Sequence, residues 1–462
     1  MTLDRRALLR TGLTLTAATA ATLALGSPAQ ADPPVRAIPT DPRLTHRLRL
    51  PNQTRTALAV GRPAAEAERP RLQKALGSTD LQPTGLYLPP GTAVEVRLAS
   101  GPAPTLVVGA PATHPDAAYS TPRTYALTSG TTTVTDPGGG MLYLKLAGAG
   151  ELAVVHFGLS TVLAPYFLLG QTAESDFQSQ LDTRTESPLV ELVSPYAVVT
   201  VTRESLLRFR SEDHARLMET FEAIIASHAT TSGMTATGAL HGRGPVPFHL
   251  VESPRMPTGA GAYATHGFTA YPAGYMDRLI SVEGLHDRGW GVWHELGHQH
   301  QQFPYKPGAT TEVTCNVYAL AIQRRFGLPS NLTVQDTAGL DLYDQAFAKF
   351  GTPGLDFLAA FGIMQKLVQY QQLTLAYGED FWGRVHRLVR EEKPDGGAYD
   401  DNALRFHHLM TYTSRAAGHD LRDFYRTWGM TVDPRTDTAL DALALPAPTV
   451  APATLREPRR TS

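Results

Sequence analysis

The sequence Trp293-His294-Glu295-Leu296-Gly297-His298 decides how this chain is interpreted, because it places two histidines four residues apart with a glutamate after the first. On a helix, residues i and i+4 lie about 40° apart around the axis, so the two imidazoles can point at one ion. Glu295 lies about 100° from His294, where it reaches a water on that ion but is poorly placed as a ligand. The competing interpretation is two ordinary surface histidines beside a solvated glutamate.

The third ligand decides between these two interpretations. A catalytic zinc ion takes three protein ligands and leaves a fourth position for water. Gln301 and Pro304 stand where a metzincin has glycine and histidine, so that class is excluded. Between His298 and Asp336 the only acidic residue is Glu312. Without the upstream motif, Glu312 would be interpreted as an acidic residue that the helix dipole favours at the start of a helix. Because the motif precedes it, we predict that Glu312 is the third ligand.

The predicted metal site therefore consists of His294, His298 and Glu312 as zinc ligands, in the helix–turn–helix arrangement of the gluzincins. Glu295 is the predicted catalytic residue, which takes a proton from the attacking water and passes it to the leaving amine. Asn316 lies one helical turn after Glu312. It is expected to hydrogen-bond a ligand imidazole and fix its orientation.

Other polar residues near the motif receive weaker predictions. His300 falls off the face shared by His294 and His298, and Cys315 is interpreted as a small buried thiol, since a thiolate ligand would close the open position. The sequence leaves open which residue stabilises the oxyanion. The four candidates are Tyr412, His407, His408 and His386.

The first 31 residues have the order of an export signal. Paired arginines at Arg5-Arg6 precede an uncharged run over Thr11–Gly26 and a small-residue cleavage site at Ala29–Ala31. The arginine pair is similar to a twin-arginine signal, although Asp4 stands where Ser or Thr is commoner and leaves the general secretory route open. We therefore expect a secreted, extracellular protein without a membrane anchor.

Composition excludes several classes of partner. The formal net charge is −2 at pH 7, so a nucleic acid or an anionic membrane has no electrostatic support as a partner. Cys315 is the only cysteine, so no disulfide can form within the chain. The length of 462 residues exceeds what one core usually supports. We expect a monomer with two or three domains and a protein or glycoprotein substrate.

The pattern along the chain predicts a multidomain α+β protein, an N-terminal β-sandwich followed by a zincin-like catalytic domain. That domain is expected to contain a small sheet, an active helix with the H-E-x-x-H motif, and a mainly helical C-terminal part. The predicted boundaries are a signal peptide over 1–31, a linker and short helix over 32–81, the sandwich over 82–202, the catalytic domain over 203–430 and a loosely structured tail over 431–462.

Two strands are predicted before the metal motif, over Pro247–Glu252 and Phe268–Ile280. The second precedes the active helix directly, and an exposed strand in that position can accept an extended peptide by β-augmentation. Phe268 and Tyr275 are therefore the predicted substrate-binding residues.

Several stretches together resemble the enhancin-like, mucin-degrading peptidases, family sixty of the metallo class. The similarity is carried by 293–301 and 311–318, and it extends to Thr84–Tyr87 with Pro90-Gly91, to 266–275, and to 381–382 and 416–429. This resemblance implies a zinc peptidase acting on mucins and other O-glycosylated proteins. Two alternatives remain: a secreted zinc peptidase with no glycan requirement, and a catalytically silent glycoprotein-binding protein.

Overall fold

The computed structural model describes residues 55–236 and 238–459. The predicted export signal over 1–31 and the first part of the linker after it, 32–54, lie outside these residues. Within the described residues, no helix is both long and apolar enough to cross a membrane.

The first part of the fold consists of two antiparallel sheets that share one apolar core. One sheet has the strand order β1-β8-β3-β6 and the other has the order β5-β4-β7-β2-β9. Alternate residues of each strand point inward, as in β3, where Val94 and Val96 are buried between exposed neighbours. The elements are β1 (Thr56–Val60), α1 (Ala65–Leu72), β2 (Gln82–Leu88), β3 (Ala93–Ser100), β4 (Thr105–Val108), β5 (Arg123–Ala126), β6 (Gly130–Thr135), β7 (Gly140–Lys145), β8 (Leu152–Phe157) and β9 (Val162–Leu163).

The extent of this sandwich differs from the prediction at both ends. Strand β1 lies in the predicted linker and pairs with β8, nearly a hundred residues later. At the other end, the sandwich stops at β9, and the strands that follow belong to a second, mixed sheet. Pairing partners this distant leave no local signal beyond a short alternation, which is why the sequence pattern missed β1.

The mixed sheet has six strands in the order β10-β11-β12-β13-β15-β14. Apolar residues of these strands pack with two long helices, α4 and α7, in one buried cluster. The elements are β10 (Tyr166–Leu168), α2 (Glu174–Thr183), β11 (Leu189–Val193), β12 (Ala197–Thr202), α3 (Arg203–Arg208), α4 (His214–Thr231), β13 (Phe248–Glu252), β14 (Tyr263–Thr265), β15 (Phe268–Tyr271), α5 (Met276–Leu279), α6 (Val282–Asp287) and α7 (Trp290–His298).

The strand predicted over Phe268–Ile280 is wrong in two respects. Only Phe268–Tyr271 is a strand; after Pro272 the chain forms a 3-10 turn and the short helix α5. This strand is also interior, because β13 pairs with it on one side and β14 on the other. The exposed edge of the sheet near the metal motif is therefore β14, Tyr263–Thr265.

The C-terminal part is helical and surrounds a second apolar core, which includes Leu367, Trp382 and Trp428. The elements are α8 (Thr311–Thr314), α9 (Asn316–Arg325), α10 (Leu342–Phe347), α11 (Phe357–Ala360), α12 (Ile363–Tyr377), α13 (Phe381–Glu392), α14 (Asn402–Ala417), α15 (Arg422–Thr427) and α16 (Pro434–Leu443).

The segment predicted as a loose tail is ordered over its described part. Asp433 caps α16 by accepting a hydrogen bond from the Thr436 amide, and Pro434 occupies the first helical turn. Farther on, Arg456 forms ion pairs with Asp341 and Asp344. A Pro/Ala/Arg-rich composition therefore did not prevent this segment from packing against the helices.

Candidate metal centre

Helix α7 carries the H-E-x-x-H motif because its opposite face is apolar. Val292, Trp293 and Leu296 are buried in the core beneath the mixed sheet, and the Trp293 indole donates a hydrogen bond to the Leu285 carbonyl. Gly297 lets the second ligand segment approach, since a Cβ there would come within 2.4 Å of the Cys315 carbonyl oxygen.

Three predicted ligand atoms converge beside the C-terminal half of this helix. The Nε2 atoms of His294 and His298 lie 3.1 Å apart, and Oε2 of Glu312 lies 3.1 Å from the first and 3.4 Å from the second. Ligands about 2.0–2.1 Å from a tetrahedral zinc ion are separated from one another by roughly 3.3 Å. These three atoms therefore have the mutual spacing of zinc ligands.

The side chain of Asn316 fixes the tautomer of His294 by a hydrogen bond. Its amide nitrogen donates to the Glu312 carbonyl at 2.8 Å, so its side-chain oxygen is the acceptor that faces the ring. That oxygen lies 2.7 Å from Nδ1 of His294. The ring therefore carries its proton on Nδ1 and presents a lone pair at Nε2.

Gln301 does the same for His298, and the sequence gave no prediction of this role. Its amide nitrogen donates to the Thr311 carbonyl and the Thr314 hydroxyl, both at 2.6 Å. Its side-chain oxygen thus accepts from Nδ1 of His298 at 3.0 Å. The available signal was an amide residue three positions after the second histidine, close to one helical turn.

Two lone pairs and a carboxylate oxygen thus face one another at about 3 Å, which is repulsive unless a cation lies between them. A proton would relieve the same repulsion. Burial disfavours a charged ring at His298, yet Cys315 and Glu312 outweigh burial and raise the pKa of His298 to about 10. Hydrogen bonds from both rings overcome burial and hold the pKa of Glu312 well below its usual range. The donor set fits a divalent metal ion.

Glu295 lies beside these ligands, buried and close to two tyrosines. Burial raises the pKa of Glu295, against the attraction of His294 and His298. The ring of Tyr275 stacks on that of Tyr271. The Tyr275 hydroxyl contacts the same helix, since a Cβ on Gly291 would come within 1.8 Å of it.

Cys315 is buried, as predicted, and it also belongs to the ligand cluster. Its sulfur lies 3.5 Å from Nδ1 and 3.6 Å from Nε2 of His294. The sulfur is therefore about equally distant from the two ring nitrogens and contacts the side of the ring.

The four oxyanion candidates from the sequence are engaged elsewhere. Tyr412 donates to Glu392, while His407 and His408 contact Thr436 and the Pro304 carbonyl. His386 is buried among hydrogen bonds to the Trp382 carbonyl and the hydroxyls of two tyrosines, Tyr305 and Tyr318. Tyr275 is one of two tyrosines that the structure brings near Glu295, and the less buried of the two; sequence reasoning had assigned it only to substrate binding.

Family models match most of the described chain. Residues 160–429 match Peptidase M60, enhancin and enhancin-like. Residues 63–155 match the N-terminal domain of M60-like peptidases. The border between the two matches lies close to the end of the sandwich at β9.

Solved structures share the fold over most of its length. A functionally unknown conserved protein from Bacillus anthracis str. Ames is 27% identical, with a TM-score of 0.77, covering 86% of this chain and 80% of that one. A metallopeptidase in complex with Tn antigen is 18% identical, with a TM-score of 0.73, covering 88% of this chain and 80% of that one.

Among curated proteins, a TRPM8 channel-associated factor homolog of Danio rerio is 26% identical over 66% of this chain. The match covers 32% of that protein, so the chain spans about a third of the length of this relative. The match to Peptidase M60 extends over more than half of the sequence, from β10 to the helices of the C-terminal part. The chain belongs to the peptidase M60 family, enhancin and enhancin-like.

Proposed function

We propose that the protein is a secreted zinc endopeptidase of the gluzincin type that cleaves mucin-type O-glycosylated proteins. The observation that carries the proposal is the convergence of His294, His298 and Glu312 at zinc-ligand spacing, with Glu295 beside them. The Glu312 side chain is 54% exposed, so this side of the ligand set faces solvent. A macromolecular substrate can therefore reach the ligands.

Each residue around the proposed zinc ion has a separate role in peptide hydrolysis. Zinc, when held there, supplies Lewis-acid activation of water and of the scissile carbonyl. Glu295 takes the proton from the attacking water and delivers it to the leaving amine, a task suited to a carboxylate whose pKa burial has raised. Asn316 and Gln301 hold the two rings in the tautomers that ligation requires.

The Tyr275 hydroxyl is our candidate for the donor that stabilises the oxyanion. It lies against Gly291, one turn before the metal-binding face of α7, and it is only partly buried. Burial raises its pKa, so the phenol stays protonated near neutral pH and can donate a hydrogen bond.

Strand β14 is the proposed platform for the substrate backbone. It pairs with β15 on one side, and its other side is a sheet edge. The Gln299 amide, directly after His298, donates to the carbonyls of Thr265 and Phe268. These bonds tie the edge to the end of the metal helix, so an extended peptide added to β14 would pass near the ligands.

The glycan requirement rests on the family and on aromatic rings near the cleft. A metallopeptidase of this fold is described in complex with Tn antigen. Trp293 and Tyr305 are buried in the core and cannot stack on a sugar. Tyr263 and Tyr275 are half-buried, one on the edge strand and one beside Glu295. They are the rings we expect to contact a sugar beside the cleaved bond.

The test compares one peptide sequence with and without a single GalNAc on a Ser or Thr, with cleavage followed by mass spectrometry. We expect the glycosylated form to be cleaved faster in both turnover and kcat/KM, because binding energy from the sugar is used at the reacting bond. The Glu295→Gln variant is the control for contaminating peptidases. Equal cleavage of both peptides would leave a general zinc peptidase. Binding of the glycopeptide without any cleavage by the zinc-loaded chain would leave a silent binding protein.

A further inference from the structure

A polar cavity lies between the N-terminal segment around α1 and the catalytic part, apart from the metal ligands. Its volume is about 40 Å³, and its walls include Lys74, Arg243 and His300. A water molecule needs roughly 10–15 Å³ in the same measure, so the cavity holds about three waters or one small tetrahedral ion.

The cavity contains two cations without a carboxylate partner. Lys74 is 6% exposed, and its ammonium group donates to the Ser78 hydroxyl at 3.2 Å. Arg243 stacks on the Tyr196 ring, and its Nη2 atom is buried without a hydrogen-bond partner. Within 55–236 and 238–459, no carboxylate oxygen lies within 4 Å of either side chain's nitrogens.

The nearest acids offset the two cations only in part. Glu68, on the wall of the cavity, attracts Lys74 but receives two hydrogen bonds from Arg71, at 2.9 and 2.6 Å. Glu222 attracts Arg243 at longer range; one of its oxygens accepts from Ser194 and from the Tyr196 amide, and the other is buried without a hydrogen-bond partner. Burial lowers the pKa of Lys74 to about 8, so it still carries its charge at pH 7. A buried surplus of positive charge is costly unless an anion joins it.

His300 adds a requirement for a proton on that anion. The Ser232 hydroxyl donates its one hydrogen to the His228 carbonyl at 2.9 Å, so it must accept from Nδ1 of His300, 3.0 Å away. The neutral ring therefore has a lone pair on Nε2, and this atom is buried without a partner. A ligand here should accept from Lys74 and Arg243 and also donate to His300.

We propose that this cavity is a binding site for inorganic phosphate in a form that retains a proton. Such an ion offers several acceptor oxygens to the two cations and one P–O–H group to the histidine. Sulfate has the same shape but no proton at neutral pH. A phosphate monoester has largely lost its second proton at pH 7. The site is independent of the proposed peptidase activity, and its occupant would join α1 to the segment before β13.

The test is calorimetric titration of the full zinc-loaded chain with inorganic phosphate at pH 7, beside sulfate and O-phosphoserine at equal ionic strength. We expect saturable binding of phosphate at least tenfold tighter than that of sulfate or the monoester. Lys74→Met and Arg243→Met should each weaken it at least tenfold, roughly the loss of a hydrogen bond to a charged group. Arg97→Gln, an exposed cation on β3, should leave it unchanged.

Thermal melts without phosphate are the control for correct folding of the variants. In these melts Lys74→Met should be at least as stable as the parent, because a buried charge without a carboxylate partner is removed. Phosphate bound at the zinc would survive both cavity substitutions and would overturn the proposal. Sulfate and phosphate bound equally well would refute the proton requirement. If the titrations showed no more than a non-saturable salt effect, equal in all variants, the proposed site would also be overturned.

Discussion

The candidate metal centre and a buried interface cluster both combine glutamate with histidine, and they differ in geometry. The candidate metal centre consists of His294, His298 and Glu312. The interface cluster consists of Tyr143 on β7 of the sandwich with Glu191, Thr200 and His249 on the mixed sheet. There the Tyr143 hydroxyl donates to Glu191 at 2.6 Å, and the Thr200 hydroxyl lies between Glu191 and His249, 3.3 and 2.8 Å away.

The difference lies in what separates the acceptor atoms. In the interface cluster, hydroxyl groups stand between them, and burial favours the neutral form of both ionisable groups: it raises the pKa of Glu191 to about 7 and lowers that of His249 to about 3. In the candidate metal centre no hydroxyl or amide group stands between the two Nε2 atoms and the Glu312 carboxylate, which contact one another directly. Residue type alone therefore does not mark a metal site. A metal site is marked by ring nitrogens and carboxylate oxygens that converge on one point while the other ring nitrogens are already engaged in hydrogen bonds.

The largest effect is expected from removing the third ligand. Glu312→Ala should cost zinc affinity more than the roughly 10–100-fold lost with an outer hydrogen bond, and activity should disappear with the metal. Zinc per chain after dialysis is the measurement. Glu191→Gln, which removes the only carboxylate of the interface cluster, is the matched control and should retain zinc fully. Equal zinc content in both variants would remove Glu312 from the ligand set.

Glu295→Gln should separate chemistry from metal binding. The ligands are unchanged, so zinc should be retained, while loss of the proton acceptor should lower turnover by about 10²–10⁴-fold. Turnover on a cleaved peptide and zinc content are measured on the same preparation. Turnover within tenfold of the parent would show that another group takes the proton.

A pair of Tyr→Phe substitutions compares the hydroxyl donors of the two clusters. Tyr275→Phe should lower turnover by about 10²–10³-fold with little change in zinc content, the cost of one oxyanion donor. Tyr143→Phe should leave turnover intact and lower the melting temperature, because a buried Glu191 oxygen loses its donor. Similar turnover in both variants would exclude Tyr275 from the reaction.

The two histidines could be proposed as ligands from the sequence because their spacing on a helix fixes their direction. Glu312 was proposed because it is the only acidic residue between His298 and Asp336. Asn316 was proposed from its position one turn after Glu312. The role of Gln301 could not be predicted, because it depends on the tertiary position of the Thr311 carbonyl, to which the Gln301 amide nitrogen donates. Strand β1 and the edge strand β14 were missed because their partners are set by tertiary pairing. The family resemblance given by the motifs is confirmed by the match over 160–429.

Gln301→Ala tests the hydrogen bond that sequence reasoning missed. Losing the acceptor for Nδ1 of His298 should weaken zinc binding by roughly 10–100-fold, comparable to Asn316→Ala on the other ring. Competition with a chromogenic chelator measures both variants. Zinc affinity that falls for Asn316→Ala but not for Gln301→Ala would mean that the ring of His298 is oriented by packing alone.

The last effect is on stability alone, at the interface cluster, and leaves the activity and the zinc content unchanged. Burial raises the pKa of Glu191 to about 7, above its usual 4.5. Below pH 4.5 this carboxyl is protonated in both the folded and the unfolded chain and has no effect on the free energy of unfolding. As the pH rises toward 7, the unfolded chain ionises first, so the folded state loses stability relative to a neutral side chain. Replacing Glu191 with Gln keeps an acceptor for Tyr143 and removes the titration.

The melting temperature of Glu191→Gln should therefore match the parent near pH 4.5 and exceed it increasingly up to pH 7. The corresponding gain in the free energy of unfolding levels off above pH 7, at on the order of 3 kcal/mol. Melts over this range, with zinc content held constant, measure the difference. A constant offset between the two proteins at every pH would show that Glu191 does not titrate in this window. The interface cluster would then contain an ionised carboxylate, and the contrast with the metal centre would rest on geometry alone.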